Sequence, residues 1–247
     1  MSLSRSRMDW EEMGILDPCW AILSQPEKRN GRWKLADFLA TGDAEIAQVM
    51  LQAKQFGFPM GRARALDFGC GMGRLTWALS SYFDHVTGID ISRPMVFKAS
   101  ALNRGGNCAF IVSNSVALPF TSQTFDLVLS AIVLQHVPDK RAIRNYIAEF
   151  ARVIRPGGLI VMQLPNHIPL RRRLQARRRL YAWLRALGIS EDVLYNQLRL
   201  HPIPMHHLPE DEVNSIFELG RCRILKSVSD GRAGTHIESR TYYVTKH

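Results

Sequence analysis

The fold of this chain is decided by Ala65-Leu66-Asp67-Phe68-Gly69-Cys70-Gly71-Met72-Gly73-Arg74-Leu75, residues 65–75. An apolar strand runs into three alternate glycines and then into a helix. Glycine permits positive φ and lets a ligand approach the backbone, and the N-terminus of a helix presents unpaired N–H groups. The stretch therefore predicts a ligand-binding loop at the carboxyl end of a first strand.

The kind of ligand follows from the residues around this loop. The dinucleotide fingerprint G-x-G-x-x-G is not met, because Arg74 stands where its third glycine is required, and no Gly-Lys-Ser/Thr follows for a phosphate loop. A carboxylate at Asp67 would repel a pyrophosphate and suits a cationic or hydrogen-bond-donating group. Asp90 closes the next strand, where it can accept from both hydroxyls of a ribose. Asp67 and Asp90 together predict a ligand with a ribose and an ammonium group but no phosphate.

Working outward from the loop, strands and helices alternate between Arg64 and Met162, which is typical of βαβ units. We predict helices beginning near Gly73, Arg93 and Asp139. The predicted strands are Arg64–Phe68, His85–Asp90, Cys108–Val112, Phe125–Ile132 and Gly158–Leu164, with two more in the tail at Cys222–Ser229 and Glu238–Thr245. The expectation is an α/β fold: a Rossmann-like, doubly wound sheet of seven strands, mostly parallel, with the last strand antiparallel.

Two regions flank this sheet. Residues 1–60 read as a helical N-terminal cap on the domain formed by residues 61–247, and residues 164–208 read as a basic helical insertion after strand five. On a helical wheel, one side of the insertion collects apolar residues while most arginines lie elsewhere, so we predict an amphipathic basic helix. Those apolar residues are Leu170, Leu174, Leu180, Tyr181, Leu184 and Leu187.

Composition excludes several classes of protein. The 247 residues are 46% apolar and 22% charged, enough to bury a core and unlike a disordered chain. No apolar run approaches the roughly 20 residues of a membrane span. The first residues lack a signal-peptide pattern, and the four cysteines are far apart without a C-x-x-C pair. We therefore expect a cytoplasmic protein with neither a disulfide framework nor a metal site.

The net charge of +10 is unevenly distributed. Residues 164–208 carry eight arginines against Glu191 and Asp192. A local basic patch of this kind suits an anionic substrate, a polar head group or RNA, and the sequence leaves these partners open.

Further motifs give the sequence a family resemblance. Ser113-Asn114-Ser115-Val116-Ala117-Leu118-Pro119-Phe120 precedes Phe125-Asp126-Leu127-Val128, and Leu134-Gln135-His136-Val137 and Arg155-Pro156-Gly157-Gly158 follow in order. Together with the glycine loop and Asp90, they resemble the class I S-adenosylmethionine-dependent methyltransferases, in particular small-molecule enzymes with a type 11 methyltransferase-like domain. The resemblance is close over about residues 60–165.

The resemblance implies S-adenosylmethionine as cofactor, with S-adenosylhomocysteine as product. It places the glycine-loop backbone against the methionine moiety and ribose, Asp90 on the ribose hydroxyls and Ile91 on adenine. Asn114 replaces the usual aspartate at the adenine amino group and keeps an acceptor oxygen. The expected cofactor-binding set is Asp67, Gly69, Cys70, Gly71, Gly73, Asp90, Ile91, Asn114, Ser115 through its backbone N–H, and Ser130 through its carbonyl.

Methyl transfer from a sulfonium is an in-line displacement, so alignment and exclusion of water are the main tasks. A hydroxyl, phenol or amine acceptor must also lose a proton, and a neutral histidine is the usual base. His136 and His167, which follow strands four and five, are the candidate catalytic residues, although a structural role in the strand-to-helix turn is the stronger reading for His136.

The preferred hypothesis is a methyltransferase acting at oxygen on a small or carrier-linked acceptor, anionic ones included. An RNA methyltransferase that tracks phosphates with Arg171–Arg179 is the alternative. It is disfavoured because Ser130–Leu134 lacks the Asn/Asp-Pro-Pro-aromatic signature of many base-amino methylases. A non-catalytic, cofactor-binding regulator is the third hypothesis, motivated by Asn114 and the lack of an obvious base.

Overall fold

A computed structural model describes residues 2–102, 106–234 and 236–247 of the chain. A seven-stranded sheet has the order β3-β2-β1-β4-β5-β7-β6, and β7 runs antiparallel to its two neighbours while the remaining pairs are parallel. The strands are β1 Arg64–Phe68, β2 His85–Asp90, β3 Cys108–Val112, β4 Phe125–Ser130, β5 Ile154–His167, β6 Cys222–Asp230 and β7 Glu238–Lys246. The predicted fold class is confirmed.

The helices cover the two faces of this sheet. They are α1 Leu3–Leu16, α2 Pro18–Ile22, α3 Leu35–Phe56, α4 Arg74–Leu79, α5 Arg93–Ala101, α6 Lys140–Val153, α7 Leu170–Arg173, α8 Ala176–Ala186 and α9 Glu210–Leu219. Helix α6 shows how the sequence sets them: the Asp139 side chain accepts from the backbone N–H of Ala142 at 2.8 Å, which caps the helix. Within α6, Ile143, Ile147 and Phe150 are buried at helical spacing.

Side chains alternate along the central strands and pack into two cores, one on each face of the sheet. Leu66 and Val128 pack with Phe150 of α6 and Phe217 of α9 on one face. On the other face, neighbouring residues of the same strands, such as Leu127, lie in a cluster with Ile46 of α3 and Leu79 of α4. Burial on both faces explains why these strands are apolar throughout.

Asp126 interrupts this apolar pattern. Its carboxylate accepts from the Arg64 backbone N–H at 2.8 Å and pairs with the Arg155 guanidinium at 3.1 Å. Asp126 therefore joins the amino ends of β1, β4 and β5, opposite the carboxyl edge where the glycine loop lies.

The flanking regions differ from the prediction in detail. Strand β5 continues to His167, beyond the predicted end at Leu164, because it stays paired with β7. The insertion is not one helix: Gln175 has φ of +48°, which separates α7 from α8, and residues 198–209 return without regular structure. The division at residue 60 stays a prediction.

In the described part of the chain, no helix combines the length and the apolar character needed to cross a membrane. The cytoplasmic location stays a prediction.

Candidate active site

The glycine loop forms bare backbone at the carboxyl edge of the sheet. Gly69 and Gly71 have φ of +77° and +52°, values that favour glycine. A Cβ at Gly69 would stand 2.4 Å from the Val133 side chain, and one at Gly71 would stand 2.6 Å from that of Ile22. The loop therefore passes close beneath two covering segments, and both positions require glycine.

Asp90 lies beside this loop at the end of β2. Its Oδ2 accepts from the backbone N–H of Gly71 at 2.9 Å and its Oδ1 from that of Ser92 at 2.8 Å. Burial raises the pKa of Asp90, while these backbone hydrogen bonds lower it. Each carboxylate oxygen has two lone pairs, so both can also accept from the hydroxyls of a ribose.

A cavity of about 500 Å³ opens over the loop and Asp90. Its volume lies in the range of sites for small molecules and cofactors. The sheet edge contributes residues at or beyond the carboxyl ends of four strands: Phe68, Gly69 and Gly71 for β1, Asp90, Ile91 and Met95 for β2, Ser113, Ser115 and Leu118 for β3, and Ala131, Ile132, Gln135 and His136 for β4. The Asp90 carboxylate, the bare backbone of the glycine loop and the apolar walls fit S-adenosylmethionine.

The roof of the cavity comes from distant parts of the chain. Trp10 of α1, Ile22 of α2, Met205 of the insertion and Ala233 of the β6–β7 hairpin line it. Hydrogen bonds fix α1 in place: the Ser92 hydroxyl donates to the Trp10 carbonyl at 3.1 Å, and Lys98 Nζ donates to the Gly14 carbonyl at 2.7 Å.

The insertion and the N-terminal helices are also joined to each other. The Tyr181 hydroxyl donates to Glu12, and the Tyr195 hydroxyl donates to Asp17 at 3.2 Å. These bonds hold the two covering regions as one roof.

His136 lines the cavity from the turn after β4. Its Nδ1 lies 2.9 Å from the Pro204 carbonyl oxygen, and its ring meets that of Trp10 edge to face at 5.8 Å between centroids. Because a carbonyl only accepts, Nδ1 carries the proton and Nε2 keeps its lone pair. Burial lowers the pKa of His136 to about 4, so the imidazole is neutral near pH 7.

Three charged side chains meet at another wall. Glu45 of α3 pairs with Arg74 at 2.8 Å and with Arg232 of the β6–β7 hairpin. Both arginines line the cavity. Glu45 thus holds two guanidinium groups at this wall.

The structure brings together six of the site residues predicted from sequence. Gly69, Gly71, Asp90, Ile91, Ser115 and His136 line the cavity. Asp67, Cys70, Gly73, Asn114, Ser130 and His167 are not among its lining residues, so contacts from them stay predictions.

Asp67 and His167 lie near the ends of strands, as Asp90 does, but they do not line the cavity. The Asp67 carboxylate is buried against α4, where it accepts from the Thr76 hydroxyl at 2.6 Å, and burial raises its pKa to about 7. His167 is exposed at the end of β5, with its ring 6.5 Å from that of His207. Asn114 is likewise exposed.

The arginines of the insertion make specific contacts. Arg173 donates to the Ile168 carbonyl at 2.6 Å, Arg178 donates to the Pro202 carbonyl at 2.7 Å, and Arg177 donates to the Arg199 carbonyl. The bonds of Arg177 and Arg178 hold residues 198–209 against α8, and His201 and Met205 of that segment line the cavity.

Sequence reasoning missed several residues of this site. Trp10, Met205 and Arg232 line the cavity, yet none of them lies in a sequence motif. No local pattern signals them, because each reaches the cavity only through long-range packing.

Comparisons with known proteins agree with this geometry. A family model described as a methyltransferase domain matches residues 65–158. The magnesium protoporphyrin IX methyltransferase of Synechocystis PCC 6803, solved with bound S-adenosylhomocysteine, superimposes with a TM-score of 0.63 at 18% identity, covering 99% of both chains. At 18% identity, this similarity is evidence for a shared fold alone.

Three curated relatives share part of the sequence. The 2-methyl-6-phytyl-1,4-hydroquinone methyltransferase of Synechocystis is 31% identical over 65% of this chain and 50% of its own length. A probable tRNA methyltransferase 9B of Mus musculus is 35% identical over 49% of this chain and 26% of its own. The malonyl-[acyl-carrier protein] O-methyltransferase of Salmonella typhimurium is 31% identical over 47% and 42%. The matches thus span half or less of these relatives.

Proposed function

We propose that this chain, which belongs to the class I S-adenosylmethionine-dependent methyltransferases, transfers a methyl group to an oxygen atom of a small or carrier-linked acceptor. The observation that carries the proposal is the roofed cavity at the carboxyl edge of the sheet. Trp10, Ile22 and Met205 close it from above while Asp90 and the glycine loop line it from below. A roofed cavity of about 500 Å³ suits a small acceptor or a narrow carrier arm.

The cofactor residues act by binding and orientation. Bound S-adenosylmethionine supplies a methyl group on a positively charged sulfur. Asp90 would accept from the ribose hydroxyls, Ile91 would pack on adenine, and the Ser115 backbone N–H would donate to the adenine ring. The roof excludes water and so strengthens the polar contacts inside the site.

His136 is positioned to accept the proton of a hydroxyl acceptor. Its Nδ1–H is held by the Pro204 carbonyl, which leaves Nε2 as the acceptor nitrogen. Because the imidazole is neutral near pH 7, it is ready to act as a base or to orient the acceptor oxygen. His167, exposed outside the cavity, is the weaker candidate.

The two guanidinium groups that line the cavity beside Glu45 support an anionic acceptor. Arg232 lines the cavity and shares Glu45 with Arg74. A carboxylate or phosphate on the acceptor would pair with this wall. Among the relatives, a carrier-protein O-methyltransferase and a hydroquinone methyltransferase support small or carrier-linked acceptors.

RNA remains the alternative substrate, supported by the similarity to a probable tRNA methyltransferase. The contacts of the insertion weigh against it. Arg173, Arg177 and Arg178 already donate to backbone carbonyls, which leaves them poorly placed to track phosphates. The regulator hypothesis is weakened by the neutral His136 in the cavity.

The experiment is a screen for S-adenosylhomocysteine release with three acceptor classes: hydroxylated and phenolic metabolites, acyl-carrier thioesters, and total tRNA. Turnover with either of the first two supports the proposal. Turnover with tRNA alone selects the alternative. If calorimetry shows cofactor binding but no acceptor class gives S-adenosylhomocysteine release, the regulator hypothesis is favoured. No binding at millimolar cofactor contradicts all three hypotheses.

A further inference from the structure

The insertion exposes an apolar stripe that the described chain leaves uncovered. On α8 and the residue that ends it, Ala176, Leu180, Trp183 and Leu187 recur at positions i, i+4, i+7 and i+11, which places them on one face. That face is turned outward: Leu180, Trp183 and Leu187 are 45%, 60% and 63% exposed. The opposite side of the helix packs inward through Tyr181, which lies in a small core with Leu194 and Leu200.

Positive charge surrounds the stripe. The segment from Ile168 to Ser190 contains seven arginines and no aspartate or glutamate. On the helical wheel, Arg177 and Arg179 flank the stripe on its two sides. Because Arg177 also donates to the Arg199 carbonyl, the contribution of charge at the bilayer surface is assigned to Arg171 and Arg179. Leu170 and Leu174, in the preceding turn, are also exposed beside Arg171.

We propose that α8 with its flanking residues 170–187 binds the surface of an anionic lipid bilayer. An amphipathic helix with arginines beside an exposed Leu/Trp face has the composition of interfacial helices, which bury the apolar face at the headgroup boundary. Tryptophan prefers this boundary because its ring is apolar and its N–H is polar. Anionic headgroups carry the charge that is complementary to the arginines of this segment.

Two other occupants fit these observations less well. A second copy of the chain would bring arginines against arginines, since this segment has no acidic residue of its own. RNA would engage the arginines but leave Leu180, Trp183 and Leu187 in water. The bilayer is the partner that uses both features at once.

The test is flotation of the full chain with phosphatidylcholine vesicles, with and without phosphatidylglycerol. We expect binding to the anionic vesicles that weakens with salt. The pair Leu180→Ser and Trp183→Ser should lower the partition coefficient at least about tenfold, because two large apolar side chains no longer enter the interface. The pair Arg171→Gln and Arg179→Gln should weaken binding to anionic vesicles only.

The matched control is the pair Phe97→Ser and Leu219→Ser, which removes exposed apolar side chains from α5 and α9 and should bind like the unmodified chain. Calorimetry with S-adenosylhomocysteine verifies the fold of each variant and tests the proposed function separately. Absence of vesicle binding, or equal binding by the Leu180/Trp183 variant, overturns the proposal. Two other results also overturn it if the chain does not bind vesicles. One is a gel shift with RNA, and the other is a dimer that the Leu180/Trp183 variant abolishes.

Discussion

The backbone N–H of Gly71 donates a 2.9 Å hydrogen bond to Oδ2 of Asp90, which ties the loop after β1 to the end of β2. Oδ1 of the same carboxylate accepts from the Ser92 N–H. One side chain thus fixes the glycine loop while lining the cavity. Asp90 therefore has a structural role, and its role in cofactor binding is a prediction.

Replacing Asp90 should weaken cofactor binding sharply. We expect Asp90→Ala to lower S-adenosylhomocysteine affinity about 100-fold, because hydrogen bonds to a charged acceptor contribute about 1.5–3 kcal/mol. Asp90→Asn should cost at least about tenfold, since its NH₂ must face one of two backbone N–H donors. Calorimetry measures both. Exposed Asp84→Asn is the control, and an unchanged affinity in Asp90→Ala would refute the site.

Gly71→Ala tests the close approach of α2 to the glycine loop. A methyl group there must adopt positive φ and would collide with Ile22, so we expect a loss of about 1–3 kcal/mol of stability. In an Ile22→Ala background the loss should shrink by about 1 kcal/mol but not vanish, because the φ cost remains. Denaturant unfolding of the four proteins measures this. Equal losses in both backgrounds would show that Ile22 does not cover the loop.

The sheet and half of the site follow from local sequence. The apolar strands, the glycine loop and Asp90 each lie within a few residues of their own signal, so alternation and turn chemistry suffice to predict them. The orientation of the Asp67 side chain is less evident from the sequence. Side chains alternate along β1, so Phe68 faces the cavity while Asp67 turns towards Thr76 of α4.

The roof could not be predicted from local patterns. Trp10, Met205 and Arg232 are separated by many residues, and only tertiary packing brings them to one cavity. The helical wheel of the insertion had a related limit: it groups apolar residues but does not say which group faces the protein. Tyr181 is buried, whereas Leu180 beside it is exposed.

Asp67 should make stability depend on pH. Burial raises its pKa from 3.8 to about 7, so the folded state holds its proton more tightly than the unfolded state. Its contribution is complete below about pH 4 and is lost as the pH rises to about 7, at up to about 1.4 kcal/mol per pH unit. Asp67→Asn keeps an acceptor for Thr76 but cannot ionise.

The measurement is urea unfolding of Asp67→Asn and the unmodified chain from about pH 5 to pH 8. The stability of the unmodified chain relative to the variant should fall as the pH rises, then level off above about pH 7. A difference that stays constant over this range would mean that Asp67 ionises normally.

His136→Asn separates the position of the imidazole from its basicity. The asparagine amide can still donate to the Pro204 carbonyl, but it lacks the Nε2 acceptor. For a hydroxyl acceptor we expect turnover to fall about 10²–10⁴-fold while S-adenosylhomocysteine affinity changes less than about threefold.

The acid limb of kcat/KM should lie near pH 4, where His136 protonates, and be absent in the variant. His85→Asn, an exposed histidine at the start of β2, is the control. Full activity in His136→Asn, or an acid limb near pH 6.5 in both proteins, would rule out His136 as the base.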